Sequence, residues 1–211
     1  MNDESNGRKW DFASIAPIVI SLFALLVSVK SCHLADEVQQ QSSKEYKQER
    51  WLILTGVFEE KGLGIKVKAI DSEKVFLEGK ASFPKSIYKE EIPINSDGDF
   101  LHMGSVGYDL KKFIASKIPK KEGFAKVSSG KIPLYIQSYY AVKGETYTDI
   151  SLYMLNMTIV VSGEEYKDPH VNLEGLIFVE RYRPDVKPDH ELLDKFINEE
   201  IGLYLPPKAP Q

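Results

Sequence analysis

The chain has 211 residues, 11% of them aromatic and 27% charged, which argues for a folded chain rather than a disordered one. A formal net charge of −4, with Lys and Glu interspersed, gives no electrostatic footprint for nucleic acid. The single cysteine, Cys32, excludes an internal disulfide and any Cys-based zinc site.

Residues 1–11 form a polar tail. Phe12 to Val29 follows (FASIAPIVISLFALLVSV), eighteen residues without a charge. At about 1.5 Å of helix rise per residue it reaches roughly 27 Å, close to the roughly 30 Å core of a bilayer. The sequence therefore predicts a retained transmembrane helix over 12–29, with Trp10 at one interface and Lys30 as the first charge at the other. A cleaved signal peptide is the rival, disfavoured by the length of the run and by Lys30 inside the best cleavage site. Small residues Ser14, Pro17, Ser21, Ala24 and Ser28 recur at spacings of three and four. They mark one helix face on which a second copy or a protein partner would dock, since small residues let helix backbones approach in lipid. Lys and Arg on the two flanks leave the orientation of the C-terminal domain open.

Residues 30–50 are rich in Gln, Glu and Lys and lack Gly and Pro, so they read as a helical stalk. Its apolar positions Leu34, Ala35 and Val38 run out too soon for a sustained coiled coil.

From Trp51 the apolar period changes from 3.6 to 2. Strands are expected over Leu63–Ala69, Lys74–Phe83, a short run at Ile92 and Ile94, Ile132–Val142, Ile150–Val161 and Leu173–Tyr182. Turns are expected at Glu60-Lys61-Gly62, Ser96-Asp97-Gly98-Asp99, Ser129-Gly130 and Lys143-Gly144-Glu145. Two amphipathic helices interrupt them, Tyr108–Ile118 and Asp189–Ile201, the second with Asp189 as N-cap and Gly202 beyond its end. Residues 51–202 thus read as an antiparallel two-sheet β-sandwich with two short helices, its edge strands guarded by lysine. Residues 203–211 are a Pro-rich tail.

No residue pattern demands catalysis. Asn95-Ser96-Asp97-Gly98-Asp99 has half the oxygen ligands of a calcium loop, but Val106 stands where the closing Glu would be, and a hairpin turn accounts for the same residues. His102, Ser105 and Asp97 are the only grouping an enzyme reading offers; Met103 spoils a nucleophile elbow there. His33, His102, His170 and His190 have no ligand spacing. The sequon Asn156-Met157-Thr158 falls inside a strand. Tyr135, Tyr139 and Tyr147 are the candidates for a binding surface, because tyrosine gives large contact area at low entropy cost. No cofactor or metal is expected.

In layout, the span IAPIVISLFALLVS, the polar helix LADEVQQQSSKEYKQERW and the β-rich remainder resemble bacterial single-pass membrane proteins of uncharacterised function, over Ile15 to Leu54. The resemblance implies an inner-membrane location and carries no activity or site. The expected function is a membrane-anchored, non-catalytic binding domain; the alternative is a structural subunit docking through its membrane helix.

Overall fold

The computed structural model describes residues 12–59, 63–118, 124–164, 167–182 and 190–198. Both terminal tails, the Glu60-Lys61-Gly62 turn, Asp189 and Gly202 lie outside the described residues. The chain divides between Arg50 and Trp51 into two units.

The first unit contains one continuous helix, α1 (Phe12–Glu49), with Pro17 inside it. Good helix formers carry it through the polar half, where Gln41 bonds Glu45 one turn on and the Arg50 guanidinium lies 3.2 Å from the centre of the Tyr46 ring. No helix among the described residues is long and apolar enough to cross a membrane. The expected transmembrane helix and the single-pass inner-membrane placement resting on it are corrected by this finding.

The second unit is mainly β, with two antiparallel sheets. The smaller sheet pairs β1 (Leu54–Phe58) with β2 (Ile65–Ala69). The larger contains β3 (Lys74–Ser82), β4 (Glu91–Ile94), β5 (Ala125–Val142), β6 (Glu145–Ser162) and β7 (His170–Tyr182), in the order β4-β3-β5-β6-β7. Two further helices are α2 (Met103–Lys117) and α3 (His190–Ile197).

Period-2 burial sets the faces. On β5, Ile132, Leu134, Ile136, Tyr140 and Val142 point into a core shared with Leu54, Val67 and the α2 residues Val106, Leu110 and Ile114. The opposite face of β5 and β6 presents Tyr135 and Leu152 to Leu193 of α3. Ser86 fixes α3 from the other side, its backbone N–H and hydroxyl both donating to Asp194.

The Asn95–Asp99 segment is a turn. Gly98 N–H donates to Asn95 O, and Asn95 Oδ1 accepts the Asp99 N–H at 2.8 Å. Gly98 holds φ at +87°, and a Cβ there would stand 1.9 Å from the Val67 carbonyl oxygen, so only glycine fits. The Val67 N–H donates to Gly98 O, which ties the turn to β2.

The long β5–β6 hairpin closes at Lys143 and Gly144, both with positive φ, as a two-residue loop of the primed type requires. Ser129-Gly130, expected to be a turn, lies inside β5 and pairs with Thr158 and Met157. Met157 fills the space over Gly130: an added Cβ would meet its Cε at 2.7 Å. Nor does lysine guard the two outermost strands of the large sheet. β7 has no Lys; Glu174 and Val179 are its unpaired extra residues at two register shifts, and β4 is short and carries Pro93. Bulges, brevity and proline blunt an edge as well as charge does.

Candidate binding face of the large sheet

The sheet is braced where the chain enters it. Asp149 on β6 and Arg181 on β7 form an ion pair at 3.0 Å, with side chains only 7% and 16% exposed. The buried Ser151 hydroxyl donates to the second Asp149 oxygen at 2.7 Å. Arg181 also donates to the Leu52 carbonyl at 2.5 Å, and its guanidinium lies 5.0 Å from the Trp51 ring centre. Next to it the Tyr153 hydroxyl accepts the Leu54 N–H at 3.1 Å. These bonds clasp residues 51–54 to the sheet. Burial raises the Asp149 carboxyl above its ordinary value, against the opposing pull of Ser151 and Arg181. Burial likewise pushes the Tyr153 phenol up to about 12, and raises that of Tyr140. Asp149 and Arg181 are thus paired with each other inside the fold, where they hold β6 to β7.

The face that carries Tyr135 has two parts. Around Tyr135 it is covered by α3, and the ring is 1% exposed with Tyr182 edge-on at 5.2 Å. Four residues along the same strand and on the same face, Tyr139 is 40% exposed. Glu78, Tyr139 and Thr148 stand in register across β3, β5 and β6, and Lys80 and Gln137 form the next row. Together with Pro93 of β4 they line a groove of about 410 Å³. Lys80 pairs with Glu91 on β4 at 3.2 Å. The groove thus offers a ring face, a carboxylate, a hydroxyl and an amide. These are recognition groups with no nucleophile–base pair among them.

The predicted tyrosines are therefore separated. Tyr139 lines the groove, Tyr135 is corrected to a core residue because α3 closes over it, and Tyr147 is half-buried on the opposite face. There its ring lies 5.8 Å from that of Tyr140 and its hydroxyl donates to Glu145. On α1 the Ser21 hydroxyl donates to its own helix at Pro17 O, 2.8 Å away, while Ala24 and Ser28 are exposed; the Ser14 side chain lies outside the described residues.

Asp97, His102 and Ser105 are exposed, and among the described residues no hydrogen bond joins their side chains. His102 takes a left-handed conformation (φ 60°) before α2 without a side-chain cap. Among the described residues no three His, Cys, Asp or Glu side chains could hold a metal ion. Sequence reasoning missed the Asp149–Arg181 pair. Asp149 stands just before the Ile150–Val161 run and Arg181 follows Glu180 near the end of the Leu173–Tyr182 run, so no local pattern marked them as partners. The groove residues Glu78, Lys80, Gln137 and Thr148 were equally unmarked. Comparison with protein-family models, characterised proteins and solved structures returns no match to this chain.

Proposed function

We propose that the β domain, read as a two-sheet sandwich, is a non-catalytic binding domain for another macromolecule, engaged through the Tyr139 groove. One observation carries the reading: an exposed tyrosine ring is set in a concave row of polar side chains, on a sheet face that α3 covers everywhere around Tyr135 and leaves open here. Tyrosine at the floor of a groove supplies contact area with little entropy to lose, and Glu78, Gln137 and Thr148 supply direction. The strands fix these side chains in register, so the surface needs no rearrangement to bind.

The test is site-specific photocrosslinking in the cells that make the protein. A photoreactive phenylalanine at position 139 should give a discrete adduct, and the same group at exposed Lys68 should not. Equal labelling at both positions, or none at 139, refutes the reading.

A further inference from the structure

β5 is longer than the strand beside it. β6 pairs with it along its whole length, Ala125 to Val142, whereas β3 pairs only from Tyr135 to Val142. From Ala125 to Leu134, no strand among the described residues occupies the second edge of β5. At about 3.3 Å per residue this is roughly 30 Å of unpaired backbone donors and acceptors.

The open edge lies in a slot. A cavity of about 350 Å³ is lined by Ser129 to Pro133 of β5, by Phe113 and Lys117 of α2, and by Phe196 and Ile197 of α3. The helices thus wall the slot with apolar side chains, while the strand supplies a polar backbone. Val127, farther along the same half-strand, is 66% exposed. The charged side chains that line the slot, Lys117 and Lys131, have one sign. Lys117, Lys126 and Lys131 are exposed, and none has an acidic partner among the described residues. Lys117 lies over the Phe113 ring at 5.6 Å. The other edges of the large sheet are blunted by bulges on β7 and by Pro93 on β4. Here Pro133 and the lysines stand guard, and the lysines carry the charge. They repel a second copy of this same cationic edge and attract a strand of opposite charge.

We propose that the free half of β5 captures an extended, acidic segment of a partner polypeptide by strand addition. The segment's backbone completes the ladder over residues 125–134. Alternate side chains enter the slot between α2 and α3, and flanking carboxylates meet Lys117, Lys126 and Lys131. This site is on a different part of the domain from the Tyr139 groove and does not depend on it.

The probe is a short fluorescent peptide of alternating valine and threonine with glutamates at both ends, added to the full chain. Two controls accompany it, one with a central proline and one with lysines at the ends. Binding is read by anisotropy and by amide hydrogen exchange. The acidic peptide should bind and slow exchange over residues 126–132, and each control should weaken binding by about tenfold or more. Lys126→Glu with Lys131→Glu should abolish the acidic peptide's binding, and Tyr139→Ala should leave it unchanged. No binding, equal binding of the proline peptide, or protection that maps elsewhere would each overturn the proposal. So would protection of 126–132 that appears with rising protein concentration alone, since a second copy would then hold the edge. Loss of crosslinking at position 139 would bear only on the groove.

Discussion

Arg181→Met tests the clasp at the start of the β domain. The substitution keeps the apolar stem and removes the cation paired with Asp149, whose side chain is 7% exposed. It also removes the donor to Leu52 O. Leaving one member of a buried pair uncompensated costs about 3–5 kcal/mol; the residual exposure of Arg181 places this case at about 3. For a domain of this size that lowers Tm by roughly 6–12 °C. The cost should depend on pH with a definite sign. Asp149 already sits above its ordinary value because of burial, and losing Arg181 raises it further. A raised folded-state pKa leaves stability intact below the unfolded value of about 3.9 and removes it as pH rises through the folded one. The difference between wild type and Arg181→Met should therefore be full at neutral pH and small near about pH 4. Adding Asp149→Asn to Arg181→Met should recover part of the loss, because the carboxylate left unpaired is gone. Urea unfolding followed by circular dichroism across pH measures all three proteins. A neutral-pH loss below about 1 kcal/mol, or one that does not vary with pH, would refute the argument.

Other sites give independent checks. Tyr153→Phe strands the buried Leu54 N–H and should cost about 1–3 kcal/mol by chemical denaturation. In the wild type the phenol at about 12 makes stability fall as pH rises from about 10, by about 1.4 kcal/mol per unit, and Tyr153→Phe should flatten that decline. Gly98→Ala forces a Cβ onto the Val67 carbonyl at positive φ and should destabilise by about 1–3 kcal/mol. Gly104→Ala, within α2 and with nothing inside 4 Å of the new methyl, should stabilise by about 0.5–1 kcal/mol by the same chemical denaturation.

Period and turn chemistry made much of the β domain legible. Alternation marked β2 and β3 close to their observed ends and the C-terminal ends of β6 and β7, which begin five and three residues earlier than expected, and Lys143-Gly144 marked the hairpin, because both signals are local. The start of α2 was missed: Gly104 and Gly107 weaken local helix propensity, and burial of Met103 and Val106 outweighs it. Ser129-Gly130 misled for a related reason. Its turn preference is a fraction of what continuous pairing with β6 and cover from Met157 supply.

The sequence by itself determined that the chain past Trp51 is mainly β and antiparallel, and that the segment before it is helical. These follow from the spacing of apolar residues along the chain. Only the tertiary structure decided which tyrosines meet solvent. Tyr135 and Tyr139 share a strand and a face, and what separates them is α3, which arrives from more than fifty residues away. The same holds for the open half of β5. Its exposure follows from where β3 stops, and strand length is set by packing with distant partners rather than by the residues of β5 alone.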